Sequence, residues 1–406
     1  MNTAPSNTIS QTTEAVLRSS YGRLVSLLSM RTRDIAAAED ALSGAMLAAL
    51  ETWPARGIPD VPEAWLLTTA RRLLSASSRH DAVRARTQRE IEMIYDEVQA
   101  KEQPRFPDNR LKLLFVCAHP SIDPAMRTPL MLQTVLGLDA ERIGAAFLVP
   151  GKTMGQRLTR AKAKIKDAGI RFAEPEHSDL QDRLTAVLNA IYAAFGTGWD
   201  LIDTPEVRLA DLSDEAIYLA RLVVDLLPDQ PEPKGLLSLM LFSEARRPAR
   251  RSSAGAYIPL DEQDPELWHK DVIADADRVL VEASRFAAPG RYQTEAAIQS
   301  LHVAAKLSGR MPGPVLIALY DLLTQMTTSI GAHIGKASAV AKYDDPNRGL
   351  ALLDMLAPER IENHQPYWAT RAAILVMLNK VHEARDAFDR AIARADHPSI
   401  KDFLTQ

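Results

Sequence analysis

Cysteine is almost missing from this chain. Cys117 stands alone among 406 residues, so no internal disulfide can form and no cysteine-rich zinc site can be assembled. Stability has to come from packing. Aromatic residues are sparse at 6 % and there are only 18 glycines; no run alternates β-branched with polar residues, and no Asn-Gly pair sits between apolar segments. A sheet is therefore not expected. Alanine and leucine recur instead at spacings of three and four, which predicts an all-α fold. Long apolar runs are also missing: none approaches the roughly 18 residues that a membrane span needs. Met1 to Thr13 lacks the basic-then-apolar pattern of an export signal. The expectation is a cytoplasmic protein with no membrane contact. A mass of 44.7 kDa is too much for one ordinary core, so several domains are expected.

Catalytic signatures are missing too. The nine histidines are scattered and none forms the His-x3-His pair of a helical zinc site. No glycine-rich phosphate loop follows a strand, and no Gly-x-Ser-x-Gly elbow occurs. Cys117 lies in the apolar run Leu113 to Cys117, which predicts a buried thiol. His119 beside Pro120 is a packing or capping residue rather than a catalyst. No enzymatic activity, no metal and no cofactor is expected.

The formal net charge of −4 hides an uneven distribution. Residues 1–150 sum to zero, residues 151–172 to +6 from seven basic and one acidic residue, and residues 173–406 to −10. A short basic stripe is the footprint of an element that meets phosphates, whereas an acidic bulk repels nucleic acid unless it points elsewhere.

Breakers divide the chain into blocks. Helices are predicted at Glu14 to Arg31, Ile35 to Trp53 and Pro62 to Ser78, with loops marked by Pro54, Gly57, Pro59 and Pro62. Within the second of these, Ala38, Leu42, Met46, Ala49 and Trp53 face inward, leaving Glu39, Asp40 and Ser43 outward. Residues 90–107 form an acidic connector. A second helical block ends in the basic stretch, Ala173 to His177 reads as a hinge, and a third helical block follows. Inside it Ala384, Phe388 and Ala391 have the spacing of the second helix of a tetratricopeptide unit, and Gly349, Leu353 and Leu356 repeat that spacing 35 residues earlier. Such spacings also suit ordinary antiparallel helices.

Residues 139–166 are the most informative. They fit a helix-turn-helix in which Ile143, Ala146 and Phe147 point inward from a first helix and residues 148–151 turn. A second helix then buries Met154, Leu158, Ala161 and Ile165. At 100° per residue, Thr153, Arg157, Arg160 and Lys164 fall within an outer arc of about 60°. Lys152, Gln156 and Thr159 flank them. Arg and Gln near the start of such a helix suit guanine and adenine edges in a major groove, and later basic residues suit phosphates.

Together these segments resemble an extracytoplasmic-function RNA polymerase sigma factor of the subgroup with a long, tetratricopeptide-like helical C-terminal extension. The stretch from Arg110 to Pro120, with Phe147 to Pro150 and Thr153 to Lys162, is similar to region 4, which reads the promoter −35 element. Ala38 to Asp40 through Trp53 and Pro54, then Ala64 to Leu66 and Thr69 to Arg72, are similar to region 2, which binds core polymerase and opens the −10 element. Arg183, Leu184, Ile191, Tyr192, Glu244 to Arg247, Asp261 to Asp264, Trp268 and Tyr292 to Ile298 resemble the extension.

The resemblance implies region 2 over residues 1–89, an acidic linker over 90–107, region 4 over 108–172 and the extension over 173–406. It implies core RNA polymerase and promoter DNA as partners, and a regulatory partner or an intramolecular contact for the extension. Lys152, Thr153, Gln156, Arg157, Arg160 and Lys164 are then the −35 residues; Trp65, Arg71, Arg72 and Arg79, with Arg84 and Arg86 nearby, are the −10 candidates; Glu39, Asp40 and Ser43 face core polymerase. Ser75 to His80 departs from the family, which carries an Ile-Asp pair and a denser basic run there. That departure supports a second reading, a repeat-type interaction or regulatory protein with degenerate sigma domains. A one-component repressor, dimeric over two half-sites, is a third.

Overall fold

The computed structural model describes residues 20–78, 108–147, 149–170, 177–200, 210–252, 255–395 and 398–405. Among these residues the fold is all-α; extended pairing is limited to one isolated bridge between Arg251 and Tyr257. No helix is long and apolar enough to cross a membrane. Five helices start in the same way. Asp34, Asp108, Asp123, Asp139 and Asp345 each accept a hydrogen bond from an amide in the first turn that follows, the arrangement of an aspartate N-cap.

Two compact units divide after Leu226. The first contains α1 (residues 20–32), α2 (Ile35–Arg56), α3 (Pro62–Ser78), α4 (Asn109–Cys117), α5 (Pro124–Thr134), α6 (Ala140–Ala146), α7 (Gly151–Asp167), α8 (His177–Asp200) and α9 (Ala210–Leu226). Its centre is α4, where every residue from Leu111 to Cys117 is buried. A helix with no solvent face is surrounded by others. Here α8 and α9 supply part of the surround. Arg183 of α8 donates to the Phe115 carbonyl at 3.2 Å, and Arg110 of α4 pairs with both Asp108 and Glu215 of α9 while lying over the Tyr218 ring. The helices just after residue 173 thus pack on the second block, and the compact boundary falls some fifty residues later than the hinge expected from sequence.

The second unit contains α10 (Pro231–Ala245), α11 (Lys270–Ser284), α12 (Arg291–Ser308), α13 (Gly313–Met326), α14 (Ile330–Tyr343), α15 (Pro346–Asp354), α16 (Pro358–Ile361), α17 (Gln365–Met377), α18 (Val381–Ala393) and α19 (Pro398–Thr405). Helix α10 is buried from Pro233 to Phe242 and lies between α11 and α12. The Glu232 carboxylate accepts from the amides of Tyr292 and Gln293, at 2.9 and 3.2 Å, and so closes the start of α12. Helices α14 and α15 form one hairpin and α17 and α18 another. Gly349 sits against Ala337 and Ala341 in the first. Ala384 packs with Ala372 and Leu375 in the second. Small residues 35 positions apart thus stand where the helices of each pair meet, a contact that ordinary antiparallel helices make as well.

Candidate nucleic-acid interface

Helices α6 and α7 are joined by residues 147–150 and pack on each other. Asp139 starts α6 by accepting from the Arg142 amide at 2.8 Å. The Val149 amide donates to the Gly144 carbonyl at 2.8 Å. A Cβ at Gly144 would lie 2.4 Å from the Val149 carbonyl oxygen, so the turn closes this tightly only over glycine. Met154, Leu158, Ala161 and Ile165 are all buried, as the spacing predicts. The inward set of the shorter helix differs: Ile143 and Gly144 are buried, but Ala146 and Phe147 are exposed. Helix α6 has only seven residues and Phe147 lies at its C-cap, beyond the point where helical periodicity can turn it inward.

Lys152, Gln156, Arg157, Arg160 and Lys164 are exposed and Thr153 is half-buried. They form a continuous cationic face on the side of α7 away from its core stripe. No acid occupies the first turn of α7, and Lys164 and Lys166 fall in its last. The positive end of the helix dipole lies at Gly151 to Thr153, where the Glu141 carboxylate of α6 packs close to Gly151. Chemically this face can hold a polyanion and present Arg and Gln to its edges.

A different flank of α7 meets α2. Lys162 forms an ion pair with Glu39, the two side chains being only 11 % and 10 % exposed. Lys166 pairs with Asp34 at 2.8 Å. Burial raises the Glu39 carboxyl above its ordinary range, with Lys162 opposing the shift. Burial and then the Glu39 charge also push the nearby Tyr21 hydroxyl upward. Sequence spacing places Glu39 outward with Asp40 and Ser43, and the structure corrects this: Glu39 is 8 % exposed, whereas Asp40 and Ser43 are exposed. Glu39 lies on the edge of the buried face of α2, where a second helix can cover it, and α7 does so.

Around Asp40 and Ser43 the structure brings together residues that the sequence reading did not single out. Leu47 and Leu50 of α2 and Leu73 of α3 are 59 %, 40 % and 42 % exposed. On the α2 wheel Leu47 and Leu50 share the arc of Asp40 and Ser43, an available signal, since two leucines on a polar face are unusual company. Trp65 is half-buried and stands edge-on to Trp53. Arg71 and Arg72 are exposed on α3. Arg79, Arg84, Arg86, the acidic connector 90–107 and most of the Ala173 to His177 hinge lie outside the described residues. Cys117 is buried beside Thr134, and His119 accepts from the Ser121 amide at 3.1 Å, a turn-closing bond.

The second unit carries a groove of about 990 Å³ beside α18 and α19, with Val376, Arg385, Phe388 and Phe403 in its walls. Tyr257 stands edge-on to Phe403 there, with ring centroids 5.7 Å apart.

Comparison with known proteins adds the family. Residues 183–284 match a family of unknown function, DUF6596. The chain is also 37 % identical over 379 residues to "Uncharacterized protein R00370" of Rhizobium meliloti (strain 1021), an alignment that covers 90 % of this chain and 88 % of that protein. The chain belongs to the family of that protein. No solved structure matches it.

Proposed function

We propose that the protein is an RNA polymerase sigma factor of the extracytoplasmic-function type, a cytoplasmic, non-enzymatic subunit that carries core polymerase to promoters. The observation that carries this reading is the exposed cationic face of α7 over a fully buried apolar stripe. In it, α6 and α7 are the helix-turn-helix of region 4, and Lys152, Thr153, Gln156, Arg157, Arg160 and Lys164 meet the −35 element. Helices α1 to α3 are region 2. Asp40 and Ser43, with Leu47 and Leu50, offer core polymerase a mixed acidic and apolar surface, and Arg71 and Arg72 hold the −10 strand. The tetratricopeptide-like extension binds a regulatory partner or makes a regulatory contact of its own.

Gel filtration of the full chain with core polymerase, followed by transcription from a promoter library, tests the proposal. Co-elution with transcription from a defined promoter class supports it. Co-elution without transcription favours a repeat-type interaction protein, for which the departure at Ser75 to His80 speaks. Tight duplex binding without polymerase favours a one-component repressor.

A further inference from the structure

The loop that precedes α11 meets α12 and α14 around a pocket of about 450 Å³, within the size range of small-molecule sites. Its walls are of two kinds. Leu260, Met311 and the Tyr343 side chain make an apolar part, and Asp261, Lys306 and Lys342 bring charge. The loop is fixed rather than slack. The Ile258 amide donates to the Arg250 carbonyl at 2.8 Å, and the buried Gln263 side chain donates to the Ile258 carbonyl at 3.2 Å. Asp261 is thereby held against both helices. Its carboxylate accepts from Lys342 of α14 at 2.6 Å and its backbone carbonyl from Lys306 of α12 at 2.5 Å.

The charges in this pocket do not cancel. Lys342 has a carboxylate partner, and its ammonium stands 5.6 Å from the centre of the Tyr343 ring. Lys306 donates to a neutral carbonyl, and among the described residues no carboxylate pairs with it. An ammonium has three donors, so Lys306 keeps two of them, and an uncompensated charge, for an incoming group. His302, also in the wall, is a hydrogen-bonding group rather than a third charge. Burial, and then the Arg246 guanidinium, hold its imidazole below the ordinary range. Two lysines therefore face one carboxylate, and the pocket is one negative charge short of balance.

We propose that this pocket binds a small monocarboxylic acid, with the ligand carboxylate on Lys306 and an apolar body against Leu260, Met311 and Tyr343. An exposed ion pair alone is weak, so the apolar body is needed for affinity. Asp261 limits the incoming charge to one, which disfavours dianions. The site lies wholly within the second unit and is independent of the proposed role with polymerase.

Calorimetry of the full chain with phenylpropionate, phenylpropionamide and inorganic phosphate tests the assignment. The acid should bind at one site with a Kd of about 1 mM or tighter. The neutral amide and phosphate should each bind about tenfold more weakly or worse. Lys306→Met removes the charge and keeps a long stem; it should weaken the acid about tenfold, whereas Lys306→Arg should retain it. Asp261→Asn should shift the balance between acid and phosphate toward phosphate, a change that a merely structural aspartate would not produce. An exposed ion pair contributes little to stability, so Asp261→Asn carries the test if Lys306→Met misfolds by circular dichroism. No saturable uptake of the acid overturns the site, as does unchanged uptake by folded Lys306→Met or an unchanged acid-to-phosphate ratio in Asp261→Asn. Equal binding of acid and amide overturns the ion pair at its centre, and phosphate as tight as the acid overturns the assigned class.

Discussion

Trp65 of α3 stands edge-on to Trp53 of α2, with ring centroids 5.5 Å apart and planes at 68°. Trp53 is buried and Trp65 half-buried, so the pair closes the α2–α3 hairpin while one indole keeps a solvent-facing edge. Trp65→Ala should cost about 2 to 4 kcal/mol, measured by urea denaturation, and Trp65→Phe much less. If Trp65→Phe holds the fold yet abolishes strand opening on a promoter, the indole meets DNA; if opening survives, Trp65 is a packing residue.

Arg157 and Lys164 share one exposed arc of α7 but sit nearly two turns apart. Arg157→Ala should change the preferred −35 sequence and cost about 1 to 3 kcal/mol on the preferred site. Lys164→Ala should weaken every site alike and reduce the salt slope by about one charge. Binding titrations of the polymerase complex at several salt concentrations separate the two outcomes.

Asp40 and Leu47 are exposed on α2, so Asp40→Arg and Leu47→Asp should each leave the thermal midpoint almost unchanged, within about 0.5 kcal/mol. Both should abolish co-elution with core polymerase. Retained co-elution by both would remove this face from the interface.

Asp34 caps α2 and pairs with Lys166. Burial works against its charge, but the Lys166 ammonium and the Ala37 amide outweigh burial and hold the carboxyl below its ordinary range. A carboxyl with a lowered folded-state pKa stabilises the fold above its unfolded-state pKa, and the contribution is lost as pH falls through the folded-state value. Asp34→Ala should cost about 1 kcal/mol at neutral pH from the cap alone. The difference from the parent should narrow under acid denaturation.

Burial pushes the Cys117 thiol up to about 12. A thiol raised in this way favours the fold below its unfolded-state pKa, and the contribution disappears as pH rises toward the folded-state value. Alkylation at pH 8 should therefore be negligible in the native chain and rapid in urea. Equal rates would mean that α4 opens readily.

Regular local signals carried most of what the sequence revealed. Pro62 starts α3 as expected, because a proline start is written into the segment itself. The Met154, Leu158, Ala161 and Ile165 stripe followed from periodicity alone. Glu39 was misplaced because its surroundings are set by Lys162, 123 positions away, and no window along α2 contains that partner. Phe147 was misplaced because helix length, rather than spacing, decides where α6 stops. The attachment of α8 and α9 to α4 depends on Arg110 meeting Glu215 and Arg183 meeting Phe115, pairings between distant positions that composition does not reveal.

Glu232 reaches across sixty positions to hold the amide end of α12, and Gly235 leaves just enough room for Gln293 beside it. A fragment trimmed to residues 183–284, the stretch that matches DUF6596, would begin inside α8 and end before Arg291. It would thus expose one face of α10 to water with nothing to cover it. Such a fragment should precipitate on expression, and pieces cut near Leu227, carrying the chain onward to its end, make the better starting material for crystals.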